Sequence, residues 1–305
     1  MLVQYRKDDA RTDSLRTLQT ISSPVRRTIV DHKGTERIWP AAMISATRAR
    51  VMRIVTTSWD DGDRSDMKLA ELLSERAISG TLYIPANGLT HSSLLARELR
   101  GLASEGFEIG AHTVSHQNLL GLGPNELTRE VVDCKDILEQ AVDKRVSMFC
   151  YPMGRYDTKV IRELQRAGYD GARTTRMFSS ALKFPKFEMP TTLQAYSHTT
   201  GKYLRNVMRS PNIHRFFTYL TELHRCRNWV ELGQRLFDRM LDKGGMWHLY
   251  GHSWEIDSLG LWPDLREMLD YVQGREGVMY VTNGELIRLL RTECEMSIRP
   301  LAEEE

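Results

Sequence analysis

The sequence predicts an α/β fold built on a parallel sheet or barrel. Two observations lead there: strand-like and helix-like segments alternate from about residue 51, and the residues best suited to chemistry fall where the strand-like runs end. The first run, Val51-Met52-Arg53-Ile54-Val55-Thr56-Thr57, is rich in β-branched residues and stops at Asp60-Asp61-Gly62. A helical stretch at 67–76, a strand at 80–84, a helix at 94–105 and a strand at 107–110 continue the rhythm. Next come a helix opened by Pro124 and running to about 142, a strand at 148–151, and a helix at about 157–167 closed by Gly168.

The rhythm breaks between 178 and 243, where Pro185, Pro190 and Pro211 punctuate loops and one amphipathic helix is expected at 228–243 through Val230, Leu232, Leu236, Phe237, Met240 and Leu241. It resumes with a strand at 246–250, a helix at 263–272, a strand at 278–281 and a last helix at 284–291. Residues 1–50 have no sustained apolar period and read as an N-terminal extension expected to be flexible. Met52 could serve as initiator as well as Met1. The organisation is therefore 1–50 extension, 51–294 α/β domain with a helical insertion at 178–243, and 295–305 C-terminal tail.

Composition narrows the partners more than the function. Forty-two Lys and Arg against 40 Asp and Glu leave a net charge of +2, so no long-range field recruits nucleic acid or an anionic membrane. Cys134, Cys150, Cys226 and Cys294 are too scattered for a disulfide framework or a CxxC pair. The first residues lack the apolar run of a secretory signal, and no later run approaches a membrane span, which leads to a cytoplasmic expectation with no membrane insertion. Oligomeric state is not legible.

Four clusters stand at strand ends: Asp60-Asp61, His112 with His116, Tyr151-Pro152-Met153-Gly154, and His248 with His252. Taken singly each has an ordinary reading, Asp60-Asp61-Gly62 as an Asp-Gly turn and a histidine pair as polar turn residues. With nine histidines in the chain, one pair at spacing four is weak. In a parallel barrel, however, all strand C-termini open on one mouth, so a carboxylate and two imidazoles can meet there as three ligands for a borderline metal. Asp60 and Asp61 are neighbours on a strand and point to opposite faces, so they take different roles. If Asp61 holds the cation, Asp60 stays ionised beside it as a general base.

Thr57-Ser58-Trp59-Asp60-Asp61-Gly62, His112-Thr113-Val114-Ser115-His116 and Tyr151-Pro152-Met153-Gly154 resemble, in order and spacing, the first three motifs of the polysaccharide deacetylase family, the NodB-like carbohydrate esterases of family 4 type. The resemblance spans about residues 52–294. It implies a distorted (β/α) barrel of the NodB-homology deacetylase type that removes acetyl groups from N-acetylated sugars with one divalent ion, above all Zn²⁺. It implies Asp60 as base, Asp61, His112 and His116 as metal triad, the Met153 backbone N–H as oxyanion donor, His252 as acid, and Tyr151 and Pro152 among substrate-binding residues. Residues 247–255 resemble the family's last motif in a longer, more polar form. There Trp254 is a candidate to stack on a sugar ring or to sit in the core. Glu255 is a candidate to bond a substrate hydroxyl or the His252 ring, or to cap the loop. His248 lies deeper in its strand and reads as a neutral core histidine.

The sequence departs from the family where Cys150 stands in place of an arginine that pairs with the base, leaving Arg155 and Arg173 as candidates for that pairing; the family's fourth motif, an Asp and Trp pair, is not found. The leading expectation is hydrolysis of an N-acetyl group on a sugar or glycan precursor. Two others stay open: a non-sugar linear amide or cyclic imide hydrolysed in the same barrel, and a non-catalytic carbohydrate-binding protein of the same fold.

Overall fold

A computed structural model describes residues 28–30, 36–38, 51–88, 94–199, 201 and 226–298. The chain divides into two units, Met1–Arg50 and Val51–Glu305. The described residues of the first are two short antiparallel strands, β1 (Thr28–Val30) and β2 (Glu36–Ile38). The flexible extension expected over 1–50 otherwise lies outside the described residues.

Among the described residues the second unit has eight strands, all paired in parallel: β3 (Arg53–Asp60), β4 (Thr81–Ile84), β5 (Glu108–Ala111), β6 (Met148–Cys150), β7 (Gly171–Arg173), β8 (Leu193–Gln194), β9 (Gly245–Gly251) and β10 (Met279–Tyr280). Their order is β7-β6-β5-β4-β3-β9-β8. The strand β3 pairs along most of its length with β9, while its other edge is shared, β10 taking Ile54 and Val55 and β4 taking Ser58 to Asp60. This is the curled parallel sheet with helices that the alternating sequence predicts.

Helices close the outer face and begin where the local chemistry directs. Asp157 accepts from the backbone N–H groups of Lys159 and Val160 and opens Thr158–Arg166; Asn228 accepts from Glu231 N–H and opens Trp229–Lys243. Gly106, at φ 112°, ends Ala96–Glu105 in the left-handed conformation that glycine adopts without strain. The helix expected after Pro124 is two α-segments, Pro124–Thr128 and Cys134–Val142, joined by a π-turn at Arg129–Asp133. The last helix, Asn283–Ile298, runs into the stretch expected as a tail.

The segment 178–243 is more than a helical insertion. Before its helix, the chain runs between the two ends of the sheet: Met189 N–H donates to Ala172 O and Thr174 N–H to Met189 O on the β7 side, while Thr192 N–H donates to His248 O and β8 pairs with β9 on the other. The stretch thereby bridges β7 to β9 and curls the sheet round. Neither β7 nor β8 was legible, because Gly-Ala-Arg and Leu-Gln are too short to show a period.

Alternation divides β3 between two cores. Ile54 packs with Tyr83, Met148, Cys150, Met189, Met246, Leu286 and Ile287, and Thr56, Ser58 and Asp60 follow it at spacing two. Val55 and Trp59 point the other way, into the larger cluster between sheet and helices. The side of β3 that ends in Asp60 is polar, with Thr56 donating to Asn283 Oδ1 at 2.9 Å and Ser58 Oγ 2.8 Å from His248 Nε2. These hydrogen bonds offset the desolvation of the buried Thr56, Ser58 and His248 side chains.

Candidate metal and acid-base site

All eight strands run the same way, so the residues at their C-termini gather at one end. Asp60 ends β3 and is buried. Asp61 leaves the strand with φ 81°, its N–H donating to Tyr83 O at 3.0 Å. The change of backbone region lets two adjacent aspartates serve one mouth, where a continued strand would have turned them apart.

Asp61 Oδ1 is buried and has no hydrogen-bond partner. It lies 3.7 Å from His112 Nε2 and 3.3 Å from His116 Nε2, and one ligand atom from each of the three residues falls within 4.8 Å of the others. His112 Nδ1 is 2.8 Å from the carbonyl of Cys150. A carbonyl only accepts, so Nδ1 carries the proton and Nε2 presents its lone pair to the cluster. Burial lowers the His112 pKa, which keeps the ring neutral. An unpaired buried carboxylate oxygen beside an imidazole lone pair is the donor set a divalent cation requires, so the residues fit a metal.

The loop that holds His116 is strained. Thr113 and His116 have φ 68° and 57°, and the loop is fixed by Ser115 N–H and Oγ donating to the Glu130 carboxylate at 2.9 and 2.8 Å, with Gln117 Nε2 joining at 2.9 Å. Glu130 is supplied by the π-turn, and sequence reading did not single it out. A widened turn aimed at a functional loop is a common use of that geometry.

Asp60 lies against Arg173, whose Nη2 donates to Asp60 Oδ1. Of the two candidates for the missing arginine, Arg173 is the partner. Its fully buried guanidinium sits between Tyr83 and Tyr250, with ring centroids at 5.2 and 4.9 Å. Cys150 approaches the other oxygen, Sγ to Oδ2 3.8 Å. Burial holds the thiol well above its ordinary pKa, so it stays protonated and donates weakly. Burial would raise the Asp60 pKa, but Arg173, with His112 and His252, more than offsets it and holds the carboxyl below the usual range.

His252 follows β9 at the N-cap of the helix Ser253–Ser258. Its Nε2 is 3.9 Å from both Asp60 Oδ2 and Asp61 Oδ2, and its Nδ1 is 2.5 Å from Glu255 Oε2. Gln194 Nε2 donates to the same Glu255 oxygen at 3.1 Å. Burial lowers the His252 pKa, yet the Glu255 bond and the nearby aspartates raise it above its ordinary value. His248 is fully buried between Ser58 Oγ and Pro190 O, and burial with the Arg173 charge lowers its pKa to about 3. Two imidazoles four residues apart, one within β9 and one just past its end, are thus shifted in opposite directions.

The third cluster divides. Tyr151 is buried, stacked on Tyr156 with centroids 4.4 Å apart and its hydroxyl donating to Phe187 O at 3.0 Å, and Pro152 is buried too. Both are expected among the substrate contacts, and here their side chains are buried, the Tyr151 ring packed on Tyr156. Met153 is 60% exposed at φ 56°, ψ 12°. At Gly154, φ 65°, a Cβ would come within 2.1 Å of Thr175 Oγ1, so glycine is required. Trp254 is 43% exposed, which excludes a core role, and its Nε1 donates to Asp61 Oδ2 at 2.9 Å. The polar residues missed from sequence, Glu130, Gln194 and Asp66, carry no motif. Asp66 is buried at the start of helix Asp66–Ser74, and burial pushes its pKa up to about 8.

Comparison with known proteins bears on family and fold. Residues 48–172 match the family model described as polysaccharide deacetylase. YxkH of Bacillus subtilis (strain 168), whose name places it among polysaccharide deacetylases, is 24% identical over 135 residues, 44% of this chain and 48% of its own length. The chain thus spans about half of that relative. PplD, a Streptococcus pyogenes deacetylase solved in complex with acetate, aligns over 50% of this chain and 69% of its own at 20% identity and a TM-score of 0.44. A Mycobacterium smegmatis crystal structure assigned to the polysaccharide deacetylases aligns over 92% of this chain and all of its own, at 16% identity and a TM-score of 0.60, and so shares the fold. Among the described residues no helix is long and apolar enough to cross a membrane. This chain thus matches the polysaccharide deacetylase family model over residues 48–172 and shares the fold of the Mycobacterium smegmatis structure.

Proposed function

We propose that this chain hydrolyses an acetamido group on an N-acetylated sugar or glycan precursor, with one divalent cation, best fitted by Zn²⁺, held by Asp61, His112 and His116. The observation that carries this reading is the unpaired buried Asp61 Oδ1 facing two imidazole nitrogens, with Asp60 and His252 beside it. Imidazole and carboxylate ligands with room left for substrate suit zinc. When bound, the cation polarises the amide carbonyl and acidifies water.

The remaining steps belong to the chain. Asp60, held ionised by Arg173, takes the proton from the attacking water at Oδ2, the oxygen not occupied by the guanidinium. The Met153 N–H supports the oxyanion, since the next two amides of its turn, Gly154 and Arg155, already donate to Tyr151 O and Pro152 O. His252, kept protonated by Glu255, delivers a proton from Nε2 to the departing amine. Two groups whose pKa values are driven apart form the required acid and base. The products are acetate and a free amino sugar.

The test pairs metal analysis of the purified protein with acetate release from N-acetylglucosamine oligomers. The reading expects about one zinc per chain and acetate release abolished by Asp60→Asn. A protein that retains no divalent ion, or releases acetate from no N-acetylated sugar while hydrolysing linear amides or cyclic imides, overturns it.

A further inference from the structure

Asp61 is an awkward metal ligand as placed. It stands beyond the end of β3 at φ 81°, with its N–H donating to Tyr83 O. One carboxylate oxygen, Oδ1, faces His112 and His116 without a hydrogen bond. The other, Oδ2, accepts the Trp254 indole N–H at 2.9 Å. That bond spans 193 residues of sequence and joins the first motif to the helix that follows β9.

We propose that Trp254 is a positioning residue for the metal: its indole N–H pins Asp61 Oδ2 so that Oδ1 is presented to the cation as a single, directed ligand. The inference rests on the metal site argued above and assigns the tryptophan a task apart from stacking on a sugar. Two features favour it. An indole N–H only donates, and here it has a carboxylate oxygen as acceptor, a charge-assisted bond stronger than a neutral one. The ring is 43% exposed, so its N–H had water available and is bonded to the metal ligand instead. The segment 252–255 then delivers three contacts within four residues: His252 beside both aspartates, Trp254 on Asp61, and Glu255 on His252. Partners one bond removed from the ion orient its ligands, and losing one typically weakens metal binding by about 10–100-fold.

Trp254→Phe removes the N–H and keeps an aromatic face, and its exposure makes loss of the fold no concern. Zinc affinity is measured by competition with a chromophoric chelator for wild type, Trp254→Phe and Trp254→Gln, which restores an N–H donor without the ring. The expected result is a dissociation constant raised about 10–100-fold in Trp254→Phe, partly recovered in Trp254→Gln. Acetate release by Trp254→Phe should fall at stoichiometric zinc and return toward wild type at saturating zinc. Unchanged zinc affinity in Trp254→Phe, with only KM altered in Trp254→Gln, overturns the inference and leaves sugar stacking as its role. Wild type failing to hold zinc overturns instead the metal reading on which the inference depends.

Discussion

Residues 51–172 and residues 173–292 supply one mouth by different means. The first half brings its groups as contiguous motifs at the ends of β3, β5 and β6: Asp60 with Asp61, His112 with His116, and the turn at Met153. The second half brings single residues from unrelated places, Arg173 from β7, Gln194 from β8, and His252, Trp254 and Glu255 from beyond β9. The family match ends at residue 172, one position before Arg173. Metal ligands must converge within a few ångströms, which favours short fixed spacings on neighbouring strands. Charge partners act through one bond each, and any element that reaches the mouth can provide one.

The sharpest way to break this division is to remove one proton carrier from each half. Asp60→Asn, in the first, should lower kcat on the order of 10⁴-fold with zinc retained, the upper end for losing an acid–base group. His252→Ala, in the second, should lower it about 10²–10³-fold, also with zinc retained. Metal analysis beside steady-state kinetics separates roles: loss of zinc in Asp60→Asn would exchange the parts of Asp60 and Asp61. His112→Ala with His116→Ala should lose zinc altogether.

Arg173 tests whether the second half sustains the first. Arg173→Met leaves the Asp60 carboxylate buried without its counter-charge, a defect that costs about 3–5 kcal/mol when one partner of a buried pair is removed. Adding Asp60→Asn should recover much of that stability, because the stranded charge is gone. Chemical denaturation of the two single variants and the double variant reads the coupling, and strictly additive losses would mean that the pair is not an energetic unit.

The same contrast explains what was legible in the sequence. The strands from β3 to β6, the helices after Pro124 and Asp157, and the helix capped by Asn228 could be read because periodicity and capping are local signals. So could the co-location of Asp61, His112 and His116, since parallel strands share one end. Two-residue β8 and three-residue β7 carry no period, which hid the bridging of β7 to β9 inside an apparent insertion. Arg173 could be named only as one of two candidates, because nothing local distinguishes a buried guanidinium from Arg155 on a turn. Glu130 and Gln194 act on loops distant in sequence, Glu130 through three bonds to residues 115 and 117.

Glu255 sharpens the comparison on the pH axis. It contributes the largest upward influence on the His252 pKa, and an acid must be protonated to act, so activity is lost as pH rises through that pKa. Glu255→Gln should move the alkaline limb of kcat/KM to lower pH, with zinc content unchanged. The acid limb, set by Asp60, should stay in place. An unmoved alkaline limb would assign that limb to another group.

The smallest expected effect lies in Asp66, which sits near residues of both halves, Asp61 and Ser253. Its side chain is fully buried at the head of the helix Asp66–Ser74, near Ser253 at the head of the His252 helix, and neither of its oxygens nor Ser253 Oγ completes a hydrogen bond. Burial, with the charges of Asp63, Asp61 and Asp60, pushes its pKa up to about 8 from 3.8, against the opposing influence of Ser253. In the folded chain the group keeps its proton where the unfolded chain has released it, so its contribution to stability is full below pH 3.8 and declines as pH rises toward about 8. Asp66→Asn has nearly the same shape and no proton to lose. Melting curves taken in EDTA, which removes any bound cation from the balance, should show equal Tm near pH 4. At pH 8 the variant should be higher by an amount on the order of 5 °C. A Tm difference that does not change between pH 4 and pH 8 would show that Asp66 does not hold a proton in the fold.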